Sequence, residues 1–313
     1  MRYICRKMIT MIVTLFAVTL FVFLAFHVIS GDPATSMLGT QATPVRIEAL
    51  RAELGLNDPV MVQYGRWALS FMMGDMGTSY TYHMSVGEMI SDKVPVTLTL
   101  TLLAFAIMVV LAIPLGIYTA KHAGGMVDRC IYVINQIIMA IPPFFAGITI
   151  TLIFGLLLKL FTPGGYVSYK TNFLGFLGYL IFPAIAIALP KAAMAVKLLR
   201  SSVIAETRLD YARTAYSKGN STNDVLYKHI LKNAVIPVIT FLGMTLADMI
   251  AGSIIIEQVF SIPGMGRILL TSISNRDYPV VMAIIVCIAF LVLVINMIVD
   301  IIYGLIDPRI TVE

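Results

Sequence analysis

The chain has 313 residues, of which 59% are hydrophobic and only 12% are charged. Soluble globular domains carry about 25% charged residues, so the composition excludes an ordinary soluble protein. The net charge of +5 comes without the stripe of arginine and aromatic residues that indicates nucleic-acid binding. Apolar residues fall in long blocks, and roughly 20 such residues of helix span a bilayer core. The sequence therefore predicts an all-α integral membrane protein.

The first apolar block, residues 8–29, follows a basic tip that contains Arg2, Arg6 and Lys7. A cleaved signal peptide has an apolar region of about 7–15 residues and a small-residue cleavage site. This block is longer and has no such site. We expect an uncleaved first transmembrane helix within residues 1–30, with its basic end in the cytoplasm.

Residues 31–95 form the largest segment between apolar blocks, and their Pro, Gly and Asp signals mark turns. We expect an external region with short helices that packs on the outer mouth of the membrane domain. Five further spans follow and make a core over residues 96–313. They are predicted at residues 96–120, 130–160, 175–197, 234–256 and 280–303.

The third block is long for one crossing and contains Pro142-Pro143. Either a kink or a tilted, overlong helix accommodates both features. Six spans place both termini on one side. Lysine and arginine are more frequent on that side, where Lys191 and Lys197 are counted at the end of the fourth span. The bias predicts that both termini are cytoplasmic.

The polar segment of residues 209–239 lies between the fourth and fifth spans. LDYARTAYSK predicts a short helix, after which Gly219 suits a positive φ. Ser221 and Asp224 have the S-x-x-D spacing of a capping box, so a second short helix can begin there. Its apolar stripe would lie on the bilayer or fill a groove on a partner; the alternative is a solvated linker. The stripe consists of Val225, Leu226, Ile230 and Ile236.

Several segments in order carry a resemblance to a known family. They are GDPA (31–34), LGLNDPVMVQY (54–64), GDMGTSY (74–80), PVTLTLTLLA (95–104), KLLRSSVIAE (197–206), DYARTAYSKG (210–219), HILKNAVIPVI (229–239), IIEQVFSIPGMGR (255–267), NRDYPVV (275–281) and VDIIYGLIDPRI (299–310). Together they resemble the dipeptide, oligopeptide and nickel permeases of binding-protein-dependent ABC importers, specifically the B-type permease subunit. The resemblance implies the type I ABC importer permease (MetI-like) architecture, with about six transmembrane helices.

In that family a cytoplasmic coupling loop, here about residues 200–233, seats in a groove on the ATPase subunit. The chain has Arg213-Thr214-Ala215 where importer permeases often have Glu-Ala-Ala, a departure usual for the peptide branch. Ile262 stands where many relatives have Trp. The resemblance implies coupling residues Asp210, Tyr211, Arg213, Thr214, Ala215, Lys218, Gly219, His229 and Asn233, and an external mouth at Pro263, Gly264 and Gly266.

The resemblance also implies the partners: a second, homologous permease subunit, two ABC ATPase subunits and an external substrate-binding protein. The chain has no G-x-x-x-x-G-K-[ST] phosphate loop. We therefore expect no enzymatic activity and no cofactor in this chain, with ATP and Mg bound by the ATPase partners. Its three cysteines and four histidines are scattered, which predicts neither disulfides nor a metal site.

Asp248 lies near the middle of the fifth span, where a charge is costly unless it is paired or faces a cavity. It is a pathway candidate; a protonated or hydrogen-bonded carboxyl is the alternative. Glu257 is a second candidate, at a span end where solvent can reach it.

The function that the resemblance implies is the import of di- or oligopeptides across a bacterial-type inner or plasma membrane. Nickel chelates or glutathione-like peptides are alternative cargoes. An ion-coupled secondary transporter is the competing class, but it would show intramembrane relays and inverted repeats. A membrane hydrolase would show H-E-x-x-H or G-x-S-x-G, which are absent from the sequence.

Overall fold

The computed structural model describes residues 2–29, 33–38, 42–53 and 55–306. These residues are almost entirely helical and contain no β-sheet, only an isolated bridge between Thr78 and Ser85. The all-α prediction is therefore confirmed.

The helices are mostly joined by short turns, with longer loops at residues 73–85 and 158–172. In chain order they are α1 (Arg2–Ile29), α2 (Pro33–Leu38), α3 (Pro44–Glu53), α4 (Val60–Met72), α5 (Val86–Ser91), α6 (Val94–Lys121), α7 (Met126–Ala140), α8 (Pro143–Ile150) with π-helical Thr151–Leu157, α9 (Phe173–Thr207), α10 (Asp210–Ser217), α11 (Thr222–Asp224) with π-helical Val225–Ile230, α12 (Leu231–Ala234), α13 (Ile236–Val259), α14 (Met265–Ser274) and α15 (Tyr278–Ile306).

Five helical segments are long and apolar enough to cross a membrane. A sixth crossing is present if the bent pair α7 and α8 counts as one span. The number and order of these segments agree with the six predicted blocks. The five are Arg6–Val28, Val86–Lys121, Phe173–Thr207, Ile236–Val259 and Tyr278–Ile301.

The third block is broken at its two prolines. Helix α7 ends at Ala140 and α8 begins at Pro143, and the two are bent by 102°. Proline lacks an N–H and disfavours the helical conformation in the residue before it. Accordingly Ile141 and Pro142 are extended, with ψ of 120° and 142°. The structure has the kink and not the single tilted helix.

Helix α9 is longer than predicted. It runs for 35 residues and ends at Thr207, beyond the expected end at Lys197. Nothing in the sequence after Lys197 breaks a helix. Lys191, counted above at a cytoplasmic end, instead lies near the middle of α9. At 1.5 Å per residue the helix is roughly 50 Å long, which exceeds the thickness of about 30 Å of hydrocarbon.

The described residues group into two compact units, one within Met1–Val96 and Pro263–Val294, the other within Thr97–Ile262 and Ile295–Glu313. In the first, α4 packs on α1 through aromatic side chains. The rings of Phe23 and Tyr64 lie 5.5 Å apart, and those of Phe23 and Trp67 5.7 Å apart. The hydroxyls of Thr19 and Tyr64 share a 3.0 Å hydrogen bond.

Asp277 fixes a loop of this first unit. Its buried carboxylate accepts hydrogen bonds from the Ser79 hydroxyl (2.5 Å) and from the backbone N–H groups of Tyr80 (3.0 Å) and Thr81 (3.3 Å). Hydrogen bonds to an ionised carboxylate are stronger than neutral ones. The GDMGTSY segment is thereby held against the start of α15.

The second unit is built around α9, which packs against α7, α8 and α13. Its buried positions are often small, including Ala184, Ala188, Ala192 and Ala195. Small residues let membrane helices approach closely. Helix α6 also passes close, because a Cβ added at Gly116 would lie 2.8 Å from the Leu199 side chain.

Candidate functional site: a helical corner at the end of α9

A compact helical corner follows α9. We call it the corner element and define it as residues 208–234, which comprise α10, the turn at Gly219, α11, the π-helical segment and α12. The apolar side chains on its inner face share one buried cluster with Leu199 and Val203 of α9. The corner element is therefore attached to the last turns of α9.

Helix α10 contributes two small buried residues and the half-buried Tyr211 to this cluster. Ala212 and Ala215 are buried in the shared cluster. Ala215, one of the predicted coupling residues, thus faces inward and sets how close α10 lies. The other predicted residues of this helix, apart from half-buried Tyr211, face outward.

Gly219 ends α10 with a φ of +81°, as predicted. Its N–H donates to the Tyr216 carbonyl over 2.9 Å. The Asn220 side-chain amide donates to the Ala215 carbonyl, also over 2.9 Å, so two carbonyls at the helix end are satisfied. A Cβ at Gly219 would meet nothing within 4 Å. The requirement for glycine is therefore conformational and not steric.

Ser221 caps the second half of the corner element, as the S-x-x-D spacing predicted. Its hydroxyl oxygen accepts from the Asp224 N–H (3.2 Å), and the hydroxyl donates to the Asp224 carboxylate (2.5 Å). Asp224 also forms an ion pair with Lys228 one turn later. Its hydrogen bonds to Lys228 and then Ser221 lower the pKa of Asp224 below its ordinary value.

The apolar stripe of this second half points into the protein, which corrects the prediction. Val225, Leu226 and Ile230 are buried in the cluster at the end of α9, and Ile236 is half-buried. They cover Leu199 and Val203 in the last turns of α9. The stripe consequently neither lies on lipid nor fills a groove on a partner. The predicted α-helix is π-helical from Val225 to Ile230.

Tyr211 joins three helices. Its hydroxyl donates to the Glu206 carboxylate near the end of α9, and its side chain is also hydrogen-bonded to that of Asn233 in α12. Burial, reinforced by the hydrogen bond to Glu206, raises the pKa of Tyr211 above its ordinary value. The neutral phenol thus links α9, α10 and α12. Two of the predicted coupling residues, Tyr211 and Asn233, take part in this contact.

The outer face of the corner element is polar and mainly basic. Asp210 and Arg213 form an exposed pair at 3.7 Å, one turn apart. Apart from Ala215 and Tyr211, the predicted coupling residues are exposed, and so are Tyr216 and Tyr227. The exposed residues of the corner element include Asp210, Arg213, Thr214, Tyr216, Lys218, Gly219, Tyr227, Lys228, His229 and Asn233.

A second contact joins α9 to α7 near the same end of α9. It was not predicted from the sequence. Arg200 Nε and Nη2 donate to the two carboxylate oxygens of Asp128 over 2.6 and 2.7 Å. The Gly124 N–H donates to the same carboxylate over 2.8 Å. Asp128 is only 3% exposed. This bidentate pair joins the turn between α6 and α7 to α9, close to where the corner element begins.

Asp248 is paired in the structure. Its carboxylate accepts from the Lys191 ammonium, so the fifth predicted span is linked to the fourth. The side chains of Lys191 and Asp248 remain 27% and 59% exposed. The sequence predicts Lys191 at the end of the fourth span, so it does not indicate Lys191 as a partner of Asp248.

Glu257 differs from its prediction. Its side chain is fully buried and accepts a 2.6 Å hydrogen bond from the Thr97 hydroxyl. Solvent does not reach it, because α13 continues to Val259 and Glu257 lies on the inner side of that last turn. Across the ranges that the structure describes, no group of three or more His, Cys, Asp or Glu residues could hold a metal ion.

The predicted external mouth lies at the start of α14. Gly264 precedes the helix and Gly266 lies in its first turn; both are buried, whereas Pro263 is half-buried. Ile262, which stands where relatives often have Trp, is also fully buried. The two glycines are therefore packed inside the unit.

Known proteins match the chain over its whole length. Residues 112–312 match the family model described as binding-protein-dependent transport system inner membrane component. Residues 1–101 match the model for the N-terminal part of the same transport-system membrane components. The two matches divide the chain near the start of the predicted permease core.

Curated relatives are similar at about one third identity. An oligopeptide transport system permease protein of Bacillus subtilis is 37% identical over 311 residues, with 98% of each chain covered. A dipeptide transport system permease protein of Alkalihalophilus pseudofirmus is 33% identical over 329 residues, again with 98% of each. A probable peptide ABC transporter permease protein of Sinorhizobium fredii is 34% identical over 308 residues, with 98% of each. The chain thus belongs to the binding-protein-dependent transport system inner membrane components, and it is a multi-pass membrane protein of that family.

Proposed function

We propose that this chain is one permease half of an ATP-driven importer of di- or oligopeptides. The names of its relatives support peptides as the cargo, and none of those names mentions nickel. The observation that carries the proposal is the corner element, since its apolar face is held by α9 and its exposed face is polar and basic.

The outer face of the corner element is the proposed docking surface for an ATPase subunit. A partner's acidic groove would meet Arg213, Lys218 and Lys228, and charge complementarity of this kind sets register and specificity. The chain lacks a phosphate loop of its own, so ATP and Mg are bound by the ATPase partners. A second permease subunit completes the pathway, and an external binding protein delivers the peptide.

The proposed mechanism is alternating access, and the attachment of the corner element supports it. Closure of the ATPase pair displaces the corner element, and the shared cluster carries that displacement into α9. The Asp128–Arg200 pair carries it into α7. A ligand shifts a conformational equilibrium only by its differential affinity for the two states. The ATPase contacts must therefore differ between the inward-open and outward-open states.

Gly219→Val tests the proposal. A β-branched residue is strained at a φ of +81°, so the turn and the outer face of the corner element are distorted. We expect peptide uptake by the reconstituted complex to fall about tenfold or more per ATP hydrolysed. Uptake of labelled dialanine and release of phosphate are measured together, with ATP and without an ion gradient.

Gly164→Val is the matched control. Gly164 also has a positive φ, of +76°, and a Cβ there would also meet nothing within 4 Å, but it lies in the loop that precedes α9. We expect this variant to keep the normal ratio of uptake to hydrolysis. Equal effects of the two substitutions would contradict a coupling role for the corner. Uptake that requires an ion gradient and not ATP would overturn the proposed function itself.

A further inference from the structure

Helices α9 and α13 carry an ion pair of opposite charges near the middle of both helices. Lys191 is the nineteenth of the 35 residues of α9, and Asp248 is the thirteenth of the 24 residues of α13. The Lys191 ammonium donates to the Asp248 carboxylate, yet the two side chains stay 27% and 59% exposed on the surface of this chain.

Lipid does not suit this surface. Ionisable side chains at the middle of a membrane span are costly, and they face a bundle interior or a water-filled cavity. Two flexible apolar side chains flank the pair, Met194 (39% exposed) and Met244 (69% exposed). Exposed methionines adapt to ligands of different shape. The side of α9 and α13 that carries the pair is therefore suited to a pathway for variable cargo.

We propose that Lys191 and Asp248 form a binding site for the free termini of a peptide. Asp248 receives the α-ammonium group and Lys191 receives the α-carboxylate. A dipeptide suits such a site, because its two residues span at most about 7 Å when extended and its termini have opposite charges. The inference rests on the proposed peptide import, and it names the groups of the cargo that the permease recognises.

An ion pair is suited to this task because its charges are compensated at each stage. In the empty protein Lys191 and Asp248 neutralise each other. When a peptide enters, Lys191 exchanges the Asp248 carboxylate for the peptide carboxylate, and Asp248 exchanges the Lys191 ammonium for the peptide ammonium. No charge is then left unpaired in a medium of low dielectric. The four-carbon stem of lysine is flexible, and its ammonium can move aside as the carboxylate of the peptide arrives.

The alternative is that the pair only holds α9 against α13. That packing is already made elsewhere, since Ala195 and Val196 are buried together with Phe241 and Leu242 packed against them. A pair that is merely structural would affect every cargo alike. A pair that binds the termini would affect each cargo according to which terminus is free.

The test uses the complex reconstituted with its partner subunits and binding protein. The probes are dialanine, N-acetyl-dialanine and dialanine amide, and kcat/KM of each variant is divided by the wild-type value for the same probe, so that the preference of the binding protein cancels. Asp248→Asn is expected to lower uptake of the two probes with a free amine about tenfold and to spare the acetylated one. Lys191→Gln is expected to lower uptake of the two probes with a free carboxylate and to spare dialanine amide.

Lys197→Gln is the matched control, since Lys197 lies on the same helix and contacts Gln136 at 3.3 Å instead of a carboxylate. It is expected to leave all three ratios near one. Equal loss of all probes in both variants, restored by the charge-reversed pair K191D/D248K, would overturn the site in favour of a structural role. Unchanged uptake of all probes would also overturn it, while leaving peptide import intact.

A photolabel gives an answer that does not depend on capped probes. p-Benzoylphenylalanyl-alanine, which has both termini free, is irradiated in the presence of the wild-type complex. Crosslinks are expected within residues 187–198 and 241–252, and they should be lost in the double variant K191Q/D248N. Crosslinks confined to other segments would contradict the site. A wild-type complex that imports neither dialanine nor any longer peptide would instead refute the proposed function.

Discussion

Asp128 and Asp248 each form an ion pair with a basic side chain of α9, but in different surroundings. Asp128 is buried and is held by both nitrogen arms of Arg200. Asp248 stays exposed beside Lys191. Neither partner could be predicted, because the paired residues are 72 and 57 positions apart in the chain. The cost of a mid-span charge singles out Asp248, whereas only the packing of two distant helices identifies its partner.

Asp128→Ala is expected to destabilise the protein by about 3 kcal/mol, because it leaves the Arg200 guanidinium without its buried carboxylate. Thermal unfolding in detergent measures the change. Asp58→Ala is the control, since the pair of Asp58 and Arg66 is exposed (42% and 54%) and such pairs contribute about 1 kcal/mol or less. Equal losses of stability in the two variants would mean that the Asp128 pair has no special role.

At the level of elements, local signals predicted the corner element well and its orientation badly. Gly219 and the Ser221 cap are recognisable in the sequence because each depends on neighbours within a few residues. The inward direction of Val225, Leu226 and Ile230 depends on how far α9 continues. The predicted fourth span ends at Lys197 and so lacks the part of α9 that the stripe covers. For that reason the sequence indicated lipid or a partner as the surface in contact with the stripe.

Ala215→Leu tests the close packing of α10 on α9. Ala215 is 4% exposed in the shared cluster, and overpacking a filled site costs about 1–3 kcal/mol. We expect the melting temperature to fall and ATPase subunits to be retained less well on copurification. Ser217→Leu makes a comparable change on the exposed side of the same helix and should keep the wild-type melting temperature. If Ala215→Leu melts as the wild type does, the cluster is looser than the structure indicates.

At the level of the whole molecule, composition alone established the membrane class, and the apolar blocks established the number of candidate spans. The sidedness of the chain remains a prediction, because it depends on the basic residues and on whether α7 and α8 together cross once. The twin prolines predicted a kink, but its size, 102°, depends on the packing of α7 and α8 against α9.

Labelling of single cysteines tests the sidedness, with the three native cysteines replaced by serine. If the bent pair crosses once, an impermeant maleimide should label Thr162→Cys in intact cells. Ser217→Cys should react only after permeabilisation. Both sites are exposed, so access does not limit the reaction, and labelling of permeabilised cells is the control. The reverse pattern would contradict the predicted sidedness, either because α7 and α8 enter and leave on the same side or because the whole chain has the opposite orientation.

The uninterrupted length of α9 has a mechanical consequence. The corner element holds one end of a 35-residue rod, and Lys191 lies close to its midpoint. If the rod tilts about its far end, Lys191 travels about half as far as the corner element does. Such a lever halves the displacement and doubles the force, so that a large stroke of the proposed ATPase partner would become a short, forceful separation of Lys191 from Asp248.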